Sequence, residues 1–497
     1  MTWKLKKSLE RRLASEQGAV IKEPGGKTAV ALVYPNTYAV GMGNLAIHSL
    51  YRMMNSRSGM LCERFFLPDR ADMAEHRRTK TPPLSVESGK PLGEFSAAAF
   101  SISFENDLLN VLPLFEIASI PHAAEMRGKD FPLMIAGGAV PTLNPRPVSA
   151  IFDAIAIGEA ECFAEELFDA IGTEATKEEK LERISKIPGI WVPSLGDPPE
   201  RIARRWLEDL DPWPTHTAVH SRDAEFAGMH LIEVQRGCPF SCRFCATPEI
   251  YRPPRRRSFE AVMAMVKEGL EFRKKFGLVG ASILSHPQFT EIARAIHSSK
   301  ATFSPSSVRV GDIDEEKAEL LAASGHRSVA LGIESGSERL RYAIGKGLSD
   351  DGIFGAIEIL AKSKITNLRL YFMIGLPGET EEDVKDIASL SLRIATHVRE
   401  HAPKTARQTS LSITLSPFVP KPGTPFAEEP FAGEAKIKMM INGIRGVLQK
   451  HRGISVNADS PLSAAIESFL SNAGAREALS FLERTHRGEN IRRILAC

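Results

Sequence analysis

The chain reads as a two-part α/β protein: a doubly wound sheet domain, then a partial (β/α)6 barrel, then a helical segment. Three observations predict this. Between residues 27 and 161, short apolar runs alternate with helical periods, as in a parallel sheet covered on both faces. A stretch rich in Pro and Asp, residues 194–217, then interrupts both helix and strand and reads as a linker. Beyond it, six further strand-like runs each lead into a helical pattern. The expected boundaries are 1–193 for the first domain, 194–217 for the linker, 218–430 for the barrel and 431–497 for the helical segment, read as helices packing on the barrel's open side.

Length and composition fit a multi-domain globular chain. There are 497 residues, a quarter of them charged, with a net charge of +2 that selects no polyanionic partner. No run of eighteen apolar residues occurs, so no membrane span is expected, and the first residues lack an apolar signal core. Six cysteines in so long a chain make no disulfide framework, which suits a reducing cytoplasm.

In the first domain, strands are expected at 27–34, 94–103, 131–138 and 154–157. Paired glycines, Gly137 and Gly138, close the third, and Gly158-Glu-Ala-Glu161 closes the fourth. In the barrel, strands are expected at 229–234, 277–284, 306–310, 328–334, 367–374 and 409–415. Ligands of both architectures sit at the carboxyl ends of strands, so residues there are read for chemistry.

The strongest chemical signal follows the first barrel strand. Cys238, Cys242 and Cys245 are spaced C-x3-C-x2-C on a stretch short enough to turn three sulfurs toward one point. Thiolates select zinc, cuprous copper or iron–sulfur clusters. A structural zinc site wants a fourth ligand close by, and the next cysteine downstream is Cys497. A [4Fe–4S] cube takes four, so three leave one iron open. Cys62 and Cys162 read as small buried hydrophobes.

This spacing, with the apolar strand before it, resembles the signature of the radical S-adenosylmethionine (radical SAM) enzymes. The resemblance implies that Cys238, Cys242 and Cys245 hold a [4Fe–4S] cluster whose open iron binds S-adenosylmethionine (SAM). It implies reductive cleavage to methionine and a 5′-deoxyadenosyl radical, a reducing partner such as flavodoxin or ferredoxin, and a substrate the residues do not identify. Phe244 matches the aromatic placed beside the adenine. Gly332-Ile-Glu-Ser-Gly-Ser337, followed by Lys346-Gly347, resembles the segment placing Glu334 and Ser335 near the ribose and amino acid part of SAM, and Tyr371 to Thr380 the segment whose backbone borders the adenine, with Gly375 and Gly378 allowing the turn. Arg309 matches an arginine that pairs with the SAM carboxylate.

The first domain resembles the Rossmann-like cobalamin-binding domain that precedes the barrel in many of these enzymes. The family's Asp-x-His-x-x-Gly reads here Asn36-Thr37-Tyr38-Ala39-Val40-Gly41, so a histidine lower ligand is excluded and cobalamin binding itself stays open. The second barrel strand is expected to end Leu284-Ser-His-Pro287 in place of the family's Gly-Gly-Glu, which makes His286 a candidate contact. The arginines of Arg252–Arg257 form the densest basic patch, but without the aromatic interleaving that nucleic acid asks for. Three functions are therefore weighed: SAM cleavage with hydrogen abstraction, cobalamin-dependent methyl transfer, and a metal knuckle in an RNA-binding or scaffold protein.

Overall fold

The computed structural model describes residues 3–197, 203–306, 308–404 and 409–496, and these divide into two compact units. The first holds residues 1–230 together with 469–497; the second holds 231–468.

The first unit is built on a six-stranded sheet: β1 (Thr28–Thr37), β2 (Met60–Leu67), β3 (Ala97–Ser101), β4 (Leu133–Gly137), β5 (Ala154–Ala156) and β6 (Ile190–Trp191). The order is β2-β1-β3-β4-β5-β6, parallel except for β6. Chain order reverses between β1 and β3, so the doubly wound sheet has its switch point there. β2 was not expected from the sequence, because Glu63 and Arg64 interrupt its apolar run. Both are buried: Arg64 donates through Nε to Glu87 Oε1 at 2.6 Å and through Nη2 to Glu16 Oε2 at 2.6 Å. An ion pair made by distant residues allows a charge inside the sheet, and local pattern carries no trace of it.

In the second unit, β7 (His230–Glu233) leads into a two-stranded hairpin of β8 (Gln235–Arg236) and β9 (Arg255–Arg256). The barrel strands continue as β10 (Lys275–Val279), β11 (Thr302–Pro305), β12 (Ser328–Glu334), β13 (Asn367–Ile374), β14 (Ser410–Pro417) and β15 (Ile454–Ala458). They form the sheets β11-β10-β7 and β12-β13-β14-β15, bridged where Val308 pairs in parallel with Leu331. One face of these strands, including Leu331, Ile333, Leu370, Phe372 and Ile413, packs into a single apolar core with the surrounding helices.

Four expectations are corrected. β10 ends at Val279, not Leu284, because Ile283 and Leu284 form a buried 3-10 turn, and an apolar run cannot distinguish the two. β11 lies at 302–305 rather than 306–310, which puts Arg309 beyond the strand. The segment after 431 is not all helix: β15 adds a seventh strand, parallel to β14. Nor do its last helices belong to the barrel, since residues 469–497 fold with the first unit. There Ser471 donates to the buried Glu105 at 2.8 Å, while its carbonyl accepts from Asn144 at 2.9 Å.

The described part of the expected linker also belongs to the first unit. Arg205 bridges Gly158 in parallel, and Leu207 N donates to Glu159 Oε2 at 3.0 Å. Residues 198–202 of that stretch, and Cys497, lie outside the described residues.

Candidate functional site

Cys238, Cys242 and Cys245 lie on the loop between β8 and β9, each half-buried and free of disulfide. Gly237 opens the loop at φ +82°, and a Cβ there would come 2.6 Å from the Tyr251 carbonyl oxygen, so only glycine fits this close approach. Burial pushes the Cys238 and Cys242 thiols up, and each is pushed further by Cys245, which places the three sulfurs within electrostatic reach of one another. Lys346 pulls both back, with help from Arg309 at Cys238. Thiolates in such a loop gain from these cations.

Three thiols on one short loop with cations beside them are a soft donor set, and that chemistry fits an iron–sulfur cluster.

The turn that ends the helix Glu338–Ala343, which follows β12, clamps this loop. Arg243 donates from its amide to the Ile344 carbonyl at 2.9 Å and from Nη1 to the Ala343 carbonyl at 3.2 Å. Gly345, at φ +74°, lies against Ser241 and Arg243. The same turn carries Lys346, whose Nζ lies 2.8 Å from Glu334 Oε1. Glu334 ends β12 at φ +73°, a costly conformation for a non-glycine residue, held here by the ion pair. Arg309 stacks over the Phe240 ring at 3.7 Å and donates from Nη2 to the Lys346 carbonyl at 3.2 Å. Glu334, Lys346 and Arg309 thus surround the cysteine loop.

Other candidates fall differently. Phe244 packs beside a small apolar cluster of Leu340, Ile344, Leu376, Phe418 and Phe426. Ser335 is fully buried, and its carbonyl accepts from Arg341 Nη1 at 3.0 Å. Gly375 and Gly378 take φ of +77° and +72° in the turn after β13, where the Gly375 amide donates to Glu379 Oε2 at 2.6 Å. The sequence set Lys346-Gly347 in the segment that carries Glu334 but assigned Lys346 no role. Its signal was the glycine on either side, Gly345 and Gly347, both with positive φ.

His286 is withdrawn as a contact. The Gln288 amide donates to its Nδ1 at 3.1 Å, so Nε2 carries the proton and donates to the Arg257 carbonyl at 3.1 Å. Both nitrogens are engaged, and burial pushes the imidazole pKa down. The basic patch is also broken up. Arg257 turns inward to Glu233 Oε2 at 2.7 Å, Arg255 is buried against the Pro253 and Tyr251 carbonyls, and Arg252 and Arg256 are exposed.

In the first unit, the position of the missing histidine is filled from within. Tyr38 is buried, donates its hydroxyl to Glu16 and meets Phe66 edge-on at 5.0 Å. Asn36 donates to Asp107 Oδ1 at 2.8 Å. At Gly158, φ +121°, a Cβ would strike the Arg205 backbone, so that glycine admits the chain's own linker. The residues present do not fit a cobalamin ligated from below by the protein.

Two family profiles match. One described as radical SAM proteins, N-terminal, covers residues 46–193, and one described as the radical SAM superfamily covers 232–391; together they span more than half of the chain. The chain belongs to the radical SAM superfamily, and it is an enzyme. An uncharacterized protein of Methanocaldococcus jannaschii is 27% identical over 87% of this radical SAM chain and 85% of its own length. GTP 3′,8-cyclase of Microcystis aeruginosa is 29% identical over 33% of this chain and 52% of its own. Among solved structures, the radical SAM methyltransferase TsrM from Kitasatospora setae, with tryptophan and a SAM analog, aligns at TM-score 0.58 and 13% identity, covering 93% of this chain and 99% of that one. The cobalamin-dependent enzyme OxsB with aqua-cobalamin aligns at 0.53 and 14% identity, over 93% and 62%. At such identities these likenesses establish the fold: a doubly wound unit and a partial TIM-like barrel. No helix among the described residues is long and apolar enough to cross a membrane.

Proposed function

We infer that this enzyme reductively cleaves SAM at a [4Fe–4S] cluster held by Cys238, Cys242 and Cys245. The observation that carries the reading is one half-buried loop presenting three thiols, with Glu334, Lys346 and Arg309 set around it. When bound, the cluster supplies an open iron and one electron, so that SAM yields methionine and a 5′-deoxyadenosyl radical that takes a hydrogen atom from substrate.

The chain's own residues bind and orient. The Glu334 carboxylate accepts hydrogen bonds from the SAM ammonium or ribose hydroxyls, and Arg309 pairs with the SAM carboxylate through its guanidinium. The turn at Gly375 and Gly378 brings backbone close to the adenine. The clamp from Arg243 to Ala343 and Ile344 keeps the loop in one geometry. A reducing partner of the flavodoxin or ferredoxin class delivers the electron.

Anaerobic reconstitution tests this. About four irons and four sulfides per chain are expected, a spectrum altered by SAM, and 5′-deoxyadenosine released on adding dithionite. Alanine at any of the three cysteines should abolish all of these. One zinc per chain with no response to SAM would leave the metal-knuckle reading standing instead.

A second reading, cobalamin-dependent methyl transfer, is favoured by the fold likeness to enzymes solved with cobalamin. It requires a corrin held without a protein lower ligand, because Tyr38 is committed to Glu16. Retained corrin absorbance after gel filtration with cobalamin would support it, and its loss would remove it.

A further inference from the structure

A second donor set lies on the outside of the barrel unit, on two packed helices, Asp350–Lys362 and Glu381–His401. His397 and His401 stand four residues apart on the longer helix and so share a face. Glu358 reaches them from the other. One nitrogen of each ring and one carboxylate oxygen lie within 4.8 Å of one another. The ring centroids are 4.1 Å apart with the planes tilted by 41°.

What separates this trio from a chance surface cluster is how the remaining ring nitrogens are used. His401 Nδ1 lies 2.9 Å from the His397 carbonyl, and His397 Nε2 lies 3.2 Å from the Phe354 carbonyl. A carbonyl only accepts, so each of these nitrogens carries the proton. His401 Nε2 and His397 Nδ1 are left with lone pairs. A ligating histidine is oriented in this way, by giving its other N–H to a carbonyl or carboxylate. Glu358 is oriented too: Lys362 holds Oε1 at 2.6 Å, and Oε2 faces His401 Nε2 at 3.7 Å. Glu358 and His401 are partly exposed, at 36% and 29% of their side chains, which gives an ion a path from solvent.

We propose that Glu358, His397 and His401 form a site for a divalent ion of the zinc class, pinning the two barrel helices together independently of the cysteine loop. Two imidazoles and one carboxylate are borderline ligands that favour zinc, nickel or copper over magnesium or calcium. Three protein donors leave a fourth position for water.

The test is a zinc titration of the full chain in which Cys238, Cys242 and Cys245 are already loaded with iron and sulfide. One zinc per chain is expected, with a rise of several degrees in unfolding temperature. His397→Ala and His401→Ala should each weaken zinc binding at least tenfold and cancel the thermal shift, with iron content unchanged. His401→Asn, which keeps a donor for the His397 carbonyl, guards against simple helix fraying and should also lose the ion. The triple alanine variant of the three cysteines should keep its zinc. Absence of bound zinc overturns the proposal and leaves a His401–Glu358 ion pair only. Zinc that survives both histidine substitutions overturns it as well, placing the ion elsewhere.

Discussion

The Lys346 ammonium lies 2.8 Å from Glu334 Oε1, joining the end of β12 to the turn that clamps the cysteine loop. Both side chains are largely buried, at 12% and 15% exposure, so the pair is shielded from water yet lies beside the cysteines. If Glu334 receives the ammonium or ribose of SAM, Glu334→Ala should weaken SAM binding at least tenfold without changing iron content. Equilibrium binding of radiolabelled SAM to the reconstituted protein checks this. An unchanged isotherm would remove Glu334 from the site.

Arg64 sits in β2 between Glu16 and Glu87, all three side chains at 1% exposure or less. Removing one member of a buried ionic group strands the others, at about 3–5 kcal/mol. Arg64→Met should therefore lower the urea midpoint of the first unit sharply. Adding Glu16→Gln and Glu87→Gln in the same chain should recover a large part of the loss. No recovery would mean that the guanidinium serves through packing alone.

Glu379 makes the stability of the second unit depend on pH. Burial pushes its carboxyl up to about 7, against the pull of the Gly375 and Leu376 amides. The unfolded value is about 4.3, so between these values the native state holds a proton that the unfolded chain has lost. That contribution to stability is complete below pH about 4 and disappears as pH rises through about 7. At about 1.4 kcal/mol per pH unit, the span from about 4.3 to about 7 amounts to at most about 4 kcal/mol. Denaturation at pH 5 and pH 7.5 should show a steeper fall for the wild type than for Glu379→Gln, and equal slopes would contradict the burial argument.

His286 should behave as a structural residue. His286→Ala removes a bridge between the Gln288 amide and the Arg257 carbonyl and should cost about 1–3 kcal/mol. SAM affinity and 5′-deoxyadenosine yield per folded molecule should hold. A selective loss of SAM binding would return His286 to the site.

Legibility in the sequence followed the range of the interactions involved. β12 and β13 were read to the residue, because their burial alternates cleanly over seven and eight positions. β2 was missed because Arg64 is tolerable only with Glu16 and Glu87 brought from 48 and 23 residues away. β10 was overrun because Ile283 and Leu284 stay buried after the strand has ended. β15 went unseen in a segment read as helices, where Ser455 and Asn457 break the apolar pattern and only pairing with β14 makes a strand of it.

The order of residues along the chain was enough to place three thiols within eight positions and to alternate strands with helices, since both depend on near neighbours. Assembly decided the rest: Lys346 beside Glu334, Tyr38 turned onto Glu16, His286 spent on backbone, and the last helices returned to the first unit. Each of these joins residues whose separation along the chain bears no relation to their separation in space. Burial and pairing energies set such contacts, and they exist only once the sheets have closed.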